Sequence, residues 1–335
     1  MTKRLIGMVM VCMTGMILSG CSLFDSKENL SLQISGEEIE IPAKNEVTQG
    51  TGWTLENKDG DYVLTLSGAN LKQSPDDKSG AALCVEGDLS VVLQKGTENS
   101  IQAQDYGIKV AGGELVIRGQ GSLSIQSDNT GIAFESIGEE NRLIMQKGTV
   151  DISAGNIGIQ DSHFVLEGGS MSVYADDYGI FGGYEGKEYA QVTTNAGDLS
   201  VEGGYIALYC DRTKIEGGTV ELVGLLENSF GLYGQSLTID LQNGSLHTKG
   251  ESAAIAAEAY EKEEPQITLG SLTKVSEEGV SLKMTSYQEA VESQEGSQME
   301  TYQILTYTTD EQLYYDIETQ TCQNAALEIT FERSR

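Results

Sequence analysis

Three aromatic residues recur at intervals that place them in successive units of a repeat. Phe181, Tyr209 and Tyr233 are separated by 28 and 24 residues, and each directly follows a small residue and an aliphatic one. Residues that recur once per coil of a β-solenoid lie above one another, about 4.8 Å apart. Aromatic rings bind the apolar C–H face of pyranose rings, so this column, with Tyr178 near it, predicts a polysaccharide-binding surface. The alternative is a structural stack of rings, covered by the insertion at residues 181–196.

Carboxylates near the aromatic column predict a second kind of chemistry. Asp176, Asp177 and Asp211 are hard oxygen ligands, and we expect them to be the best candidates for a calcium site between coils. The alternative is a stacked turn, in which Asp, Asn and Ser side chains bond to backbone N–H groups coil by coil. We expect no cofactor to be required, and calcium is the cation that such a site would bind.

The catalytic alternative is a calcium-dependent polysaccharide lyase. Such an enzyme needs a base at the sugar α-carbon and a cation that stabilises the developing anion. Arg212 beside Asp211 is the one basic residue next to a carboxylate near the aromatic column. The sequence contains no common hydrolase, metalloprotease or nucleotide-binding motif, and its two histidines are His163 and His247. We therefore expect no catalytic residues.

A repeat of about 25 residues is the feature that must position these side chains. A small residue followed by an aliphatic one recurs at intervals of 21 to 28 residues, and a turn glycine before an alternating strand recurs in step with it. The pairs of a small and an aliphatic residue are Ala82-Leu83, Gly107-Ile108, Gly131-Ile132, Gly158-Ile159, Gly179-Ile180, Ala207-Leu208, Gly231-Leu232 and Ala254-Ile255.

Hydrophobic alternation within each unit has a period of two, which predicts short strands. Three strands and three turns fill about 25 residues. We therefore predict an all-β fold, a right-handed parallel β-helix with an N-terminal hairpin at Trp53–Leu66 and C-terminal capping strands. The acidic stretch Gln288–Met299 is predicted to be a protruding loop. The three prolines lie outside residues 76–264, as a continuous hydrogen-bonded ladder requires.

The N-terminal residues predict a location outside the cytoplasm. Lys3 and Arg4 precede a 14-residue apolar run that ends in Leu18-Ser19-Gly20-Cys21, which resembles a bacterial lipobox. Cys21 is then the lipidated first residue of the mature chain, held at the bacterial cell surface. The predicted organisation is a signal peptide at 1–20, a tether and N-terminal cap at 21–49, β-helix coils at 50–264, and final coils with a cap at 265–335.

Charge and cysteine content limit the partners. The 335 residues include 51 acidic and 21 basic ones, and this formal net charge of −30 argues against nucleic acid as a partner, because phosphate binding needs clustered Lys and Arg. Cys84, Cys210 and Cys322 match no zinc spacing, and we expect them to be unpaired, with one pair left open. We expect the chain to be a monomer.

Several short motifs in the repeat are distinctive: Gly52-Trp53-Thr54, the run Leu64 to Leu71, Asp177-Tyr178-Gly179-Ile180 and Glu216-Gly217-Gly218-Thr219-Val220. With these motifs the chain resembles the carbohydrate-binding domain-containing β-helix family of clostridial and related gut Firmicute surface proteins. The resemblance covers residues 50–331. It implies binding of plant-type polysaccharides, in some members with calcium.

Three functions follow from these features. The first is a surface lipoprotein that binds polysaccharide without catalysis. The second is a stiff spacer or adhesin that presents an acidic flank to a protein partner. The third is the lyase.

Overall fold

The computed structural model describes residues 30–259, except 186, 187 and 242, and strands at 266–269, 273–275, 281–293, 296–308, 315–316, 321–322 and 325–331. The predicted signal peptide and Cys21 lie outside the described residues. The described residues form strands and turns and no helix, so none of them forms a helix that could span a membrane.

Four strands precede the coils: β1 (Ser31–Ile34), β2 (Glu37–Glu38), β3 (Val47–Gly50) and β4 (Trp53–Lys58). Coils one to four contain β5 (Asp61–Leu66), β6 (Asn70–Lys72), β7 (Ala81–Glu86), β8 (Leu89–Leu93), β9 (Glu98–Ala103), β10 (Tyr106–Gly112), β11 (Glu114–Gly119), β12 (Ser122–Ser127), β13 (Thr130–Phe134), β14 (Arg142–Met145), β15 (Thr149–Ala154) and β16 (Ile157–Gln160).

Coils five to eight contain β17 (His163–Leu166), β18 (Ser170–Ala175), β19 (Tyr178–Gly182), an inserted pair β20 (Tyr184–Glu185) and β21 (Glu188–Tyr189), β22 (Gln191–Thr194), β23 (Asp198–Gly203), β24 (Ile206–Cys210), β25 (Arg212–Ile215), β26 (Thr219–Gly224), β27 (Phe230–Gly234), β28 (Ser236–Ile239), β29 (Ser245–Gly250) and β30 (Ala253–Ala259). The described C-terminal strands are β31 (Gln266–Leu269), β32 (Thr273–Val275), β33 (Ser281–Ser293), β34 (Gly296–Thr308), β35 (Tyr315–Asp316), β36 (Thr321–Cys322) and β37 (Ala325–Phe331).

The strands of eight coils stack into three long, mostly parallel sheets, which confirms the predicted β-solenoid and its repeat of about 25 residues. Each coil gives its first strand to sheet 1, its second to sheet 2 and its third to sheet 3. Sheet 1 runs from β3 through β5 to β31, sheet 2 from β6 to β29 with β37 and β32 added, and sheet 3 from β2 through β7 to β30 with β34 and β33 added.

The predicted aliphatic column forms the inner face of sheet 3. Leu83, Ile108, Ile132, Ile159, Ile180, Leu208, Leu232 and Ile255 pair in register, and each is at most 2% exposed. The core thus consists of stacked columns of aliphatic side chains, one layer per coil. This packing stabilises each coil mainly through its two neighbours.

The small residue before each aliphatic one marks a close approach between two sheets. A Cβ built on Gly179 would overlap the Val201 side chain and the backbone oxygen of Ala207. The same conflict with an inward aliphatic residue recurs at Gly107, Gly131 and Gly158. The chain bends here from sheet 2 into sheet 3, and only a small residue fits inside the bend.

Antiparallel strands cover ends of the stack, as predicted. The hairpin of β4 and β5 joins Trp53 to Leu66 around Asp59-Gly60, and β1 lies antiparallel to β7. At the other end, β34 pairs with β30 and β37 with β29, both antiparallel. Among the described residues from 265 to 335, β31 continues sheet 1 in parallel, as a further coil would.

The predicted loop at Gln288–Met299 is wrong. Apart from residues 294 and 295, those residues lie in β33 and β34, which are antiparallel and pair Gln288 with Thr301 and Ala290 with Met299. Acidic and polar composition suggested a loop, but the hydrogen bonds of an antiparallel ladder join backbone groups and do not depend on side-chain polarity.

Candidate functional site

The aromatic column lies on the outer face of sheet 3 in coils five to seven. Backbone register aligns Phe181 with Tyr209 and Tyr209 with Tyr233. The ring centroids of Phe181 and Tyr209 are 5.1 Å apart at an interplanar angle of 22°, and those of Tyr209 and Tyr233 are 5.5 Å apart at 27°. The three rings therefore form a continuous ladder along the solenoid axis.

A second outward column runs beside this ladder. Tyr178, Ile206 and Phe230 begin the same three strands of sheet 3 and pair in register with one another. Tyr178 packs edge-on against Phe181 at 5.3 Å, and Phe230 edge-on against Tyr233 at 5.0 Å. The two columns together form a double row of apolar side chains.

Sequence reasoning missed Ile206 and Phe230, and it had placed Tyr178 near the column without assigning it a face. Strict alternation puts a residue two positions before an inward aliphatic one inside the core. The bend at the small residue breaks that alternation, so Tyr178 points outward although Ile180 points inward. A pattern of large residue, small residue and aliphatic residue, as in Phe230-Gly231-Leu232, was the available signal.

The rings are less exposed than a flat binding surface would require. Tyr233 is only 9% exposed, and Phe181, Tyr209 and Tyr178 are half-buried. At such short centroid separations, nearly parallel rings must turn their faces toward each other, because coplanar rings would collide. The ladder therefore offers mainly its ring edges to solvent.

Open apolar surface lies at the turn that leads into sheet 3. Tyr205 is 47% exposed, and its ring centroid is 6.2 Å from that of Tyr178. Leu225 and Leu226, in the next turn of the stack, are 46% and 45% exposed. The aromatic cluster is defined here as Tyr178, Phe181, Tyr205, Tyr209, Phe230 and Tyr233, and its exposed side is this turn.

The insertion expected to cover the stack is a small antiparallel pair. Strand β20 pairs with β21, so that Tyr184 lies opposite Tyr189, and the chain then enters β22 of sheet 1. The backbone N–H of Ala190 donates to the oxygen of Gly183 at 3.3 Å and closes the base of the insertion.

The three candidate calcium ligands do not come together. Asp176 and Asp177 lie in the turn before β19, at the start of sheet 3, whereas Asp211 follows β24 at the opposite edge of that sheet. Within the part of the chain that the structure describes, no group of three or more His, Cys, Asp or Glu side chains is placed to hold a metal ion.

Hydrogen bonds between polar side chains occur in this turn. Asn156 Nδ2 donates to Asn129 Oδ1 one coil away at 3.2 Å, and the Tyr174 hydroxyl donates to Asp176 Oδ1 at 3.1 Å. Backbone bonds continue the pattern, with Tyr205 N donating to Asp177 O at 2.8 Å.

Asp211 is a buried carboxylate at the corner between sheets 3 and 1. It is 1% exposed, and within the described residues its Oδ2 atom has no hydrogen-bond partner. Burial raises the pKa of Asp211 to about 6, although the neighbouring Arg212 charge lowers it. The Asp211 carboxylate is therefore buried at the corner and does not lie on the outer face beside the aromatic column.

The residues proposed for a lyase are separated in the same way. Arg212 begins β25 and is exposed on the outside of sheet 1, while the Asp211 side chain is buried. A base and a cation-binding carboxylate would have to face one substrate. This pair does not.

Two of the three predicted free thiols are described. Cys84 is half-buried and Cys210 is fully buried, and neither forms a disulfide. Burial raises the pKa of the Cys210 thiol to about 12, so this sulfur is an unreactive part of the core. The side chain of Cys322 lies outside the described residues.

Comparison with known proteins gives one match. The family model described as carbohydrate-binding domain-containing protein matches residues 44–312, which include all eight coils and the aromatic cluster. No curated protein and no solved structure matches the chain. Because the match covers well over half of the sequence, the chain belongs to the family of carbohydrate-binding domain-containing proteins.

Proposed function

We propose that this protein binds a polysaccharide without catalysis, through the aromatic cluster on sheet 3. The observation that carries the proposal is the continuous group of six rings on the outer face of one sheet, in a chain that belongs to a carbohydrate-binding family. Soluble proteins rarely leave contiguous apolar surface exposed unless it meets a ligand or a partner.

The geometry suggests how a glycan lies on this surface. Tyr205 provides the most open ring surface of the cluster for a sugar face, and the edges of the ladder extend the apolar contact over three coils. Polar groups border it: Asp177 lies in the turn before Tyr178, and in the turn before Phe230 the backbone N–H of Asn228 donates to Glu251 Oε2 at 3.2 Å. Such groups bind sugar hydroxyls.

The charge of the chain favours uncharged polymers. A formal net charge of −30 repels uronate-rich glycans at low salt. We therefore expect stronger retention on xylan or cellulose than on pectin. Binding needs no metal ion in this proposal, so EDTA should not change it.

Replacing Tyr205 with alanine is expected to weaken binding to insoluble xylan or cellulose about tenfold, the equivalent of about 1.4 kcal/mol. Tyr205 lies in a turn and is 47% exposed, so its removal should leave thermal stability nearly unchanged. The measurement is a depletion isotherm on each polymer, paired with a thermal melt. Tyr209→Ala should weaken binding as well, but with a loss of stability, because its ring packs between two others.

Tyr106→Ala is the matched control. Tyr106 begins a sheet 3 strand at the same register position as Tyr178, but three coils away from the cluster. Unchanged polymer binding in Tyr205→Ala would remove glycan binding from this surface and favour the spacer or adhesin, whose protein partner would then meet Leu225 and Leu226. Release of unsaturated sugar ends, seen as new ultraviolet absorbance, would make the protein a lyase.

We also propose that Cys21 carries a lipid that holds the protein at the bacterial cell surface. The basic residues, apolar run and Leu18-Ser19-Gly20-Cys21 motif support this. The wild type should partition into the membrane fraction and incorporate labelled palmitate, and Cys21→Ala should do neither. Equal labelling of both proteins would contradict the anchor.

A monomer is part of the same proposal. The strands at the ends of sheets 1 and 2 are only three or four residues long, namely β3, β31, β6 and β32. Short edge strands offer few backbone groups to a second chain, so light scattering should give the mass of one chain.

A further inference from the structure

A cleft on sheet 1 lies at the N-terminal end of the solenoid, in coils one to three and on a different face from the aromatic cluster. Its volume is about 310 Å³, within the range of small-ligand sites. The N-terminal hairpin contributes Lys58, Asp61 and Tyr62, and the next two coils contribute Asp88, Glu114 and Arg118.

The floor of the cleft is formed by outward residues of three adjacent strands. Val63 pairs with Ser90, and Ser90 pairs with Val116, so that two valines flank one hydroxyl along the axis. Tyr62 lies at the corner beside this floor and is half-buried. The floor thus combines two valine side chains with one hydroxyl and is as wide as three strands, about 10 Å between the first and the third.

One wall is a row of carboxylates. Asp61 begins β5, Asp88 directly precedes β8, and Glu114 begins β11, so the three recur once per coil along the axis. The row is held in place, because Asp88 Oδ1 accepts from the Glu114 backbone N–H at 2.9 Å and Glu114 forms an ion pair with Arg142 at 2.5 Å.

Two cations complete the lining. Lys58 Nζ lies 2.6 Å from Glu56 Oε2, so part of its charge is already neutralised. Arg118 lies farther along β11 than Glu114, is exposed, and forms no ion pair within the described part of the chain. Its guanidinium is therefore an available donor at the side of the cleft away from the carboxylates.

This mixture of charges selects a class of ligand. Three carboxylates disfavour phosphate, sulfate or a uronate, and two cations disfavour a metal ion. A sugar hydroxyl both donates and accepts hydrogen bonds, so it can donate to the carboxylates and accept from Arg118, while the C–H groups of the ring contact the valines.

We propose that this cleft is a second saccharide site, which binds a short uncharged sugar with Arg118 and the Asp61–Asp88–Glu114 row as its polar contacts. The site is independent of the aromatic cluster. A chain with both sites can hold two segments of a glycan, and such bivalent binding strengthens retention on a polymer without any new contact.

Saturation-transfer NMR on the full chain tests the proposal, with methyl β-glucoside, methyl β-galactoside and N,N′-diacetylchitobiose as uncharged probes. At least one of them should bind with a millimolar dissociation constant. Arg118→Gln should raise that constant about fivefold to tenfold, as expected when a charged hydrogen bond is lost. Lys214→Gln, which removes an exposed cation from the outside of the same sheet in coil seven, should leave it unchanged.

The two sites fail independently in this design. Tyr205→Ala should weaken polymer binding and leave the affinity for the short sugar unchanged, whereas Arg118→Gln should weaken binding of the short sugar. Absence of signal from all three probes, or equal affinity in Arg118→Gln and wild type, would overturn the second site and leave the aromatic cluster untouched. Competition by inorganic phosphate or by Ca²⁺ would also overturn it, since the cleft would then be an ionic site.

Discussion

Replacing Ile180 with alanine is expected to lower the free energy of unfolding by about 2–5 kcal/mol. Ile180 is 2% exposed and is paired in register between Ile159 and Leu208. The truncation leaves a cavity that the flanking coils cannot fill, since both neighbours are held by their own strands. Ile180→Asp should prevent folding, because an unpaired charge would lie in the aliphatic core. Urea unfolding followed by circular dichroism measures both variants.

Glu202→Ala serves as the control. Glu202 points outward from sheet 2 in the next coil, so its loss should cost less than about 0.5 kcal/mol. A similarly small loss for Ile180→Ala would show that the inner column is assigned to the wrong face. The repeat that positions every candidate site would then be wrong as well.

The register of sheet 3 was predictable because two patterns constrain it. Each coil needs a small residue where the chain bends and an aliphatic residue directly after it, and the spacing of these pairs fixes which residues stack. That is why the stacking of Phe181 on Tyr209 and of Tyr209 on Tyr233 followed from the sequence, with no structure in hand.

The bend itself was not predictable from a period of two. The bend turns the side chain of the residue before it toward the outer face. Ile206 and Phe230 therefore point outward, although strict alternation would place them inside the core. The exposure of the ring side chains could not be predicted either. The close stacking that buries Tyr233 depends on side-chain rotamers, which the sequence does not specify.

Residue type was also a poor guide to burial at the corners between sheets 3 and 1. Asp211 was a candidate ligand because it is a carboxylate, yet the corner position directly before the sheet 1 strand is buried in coils four to eight. The residues at this position are Asn141, Ser162, Ala190, Asp211 and Gln235, none more than 4% exposed. The C-terminal hairpin of β33 and β34 was missed for a related reason, since composition there outweighed the alternation.

Asp211 should make the protein less stable at neutral pH than at mildly acidic pH. Its pKa is raised to about 6 in the folded protein, above the ordinary aspartate value of 3.8, so folding favours the protonated form. The stabilising effect of that proton is fully present below pH 3.8 and is lost as the pH rises through 6. At pH 7 the buried carboxylate is ionised, and its Oδ2 atom has no partner.

Asp211→Asn is therefore expected to raise the free energy of unfolding by about 1–2 kcal/mol at pH 7, where part of the cost of burial is already reduced by solvent near the corner and by Arg212. At pH 4 the gain should disappear. Other acidic groups also titrate in this range, but they do so in both proteins, and the difference between variant and wild type isolates Asp211.

Asp211→Ser gives a second test, because Ser162 occupies the same corner position two coils earlier and shows that a hydroxyl fits there. A gain that is equal at both pH values would mean that the carboxylate is not ionised at the corner at pH 7, and a loss at pH 7 would mean that its charge is bound by a partner that stabilises the fold.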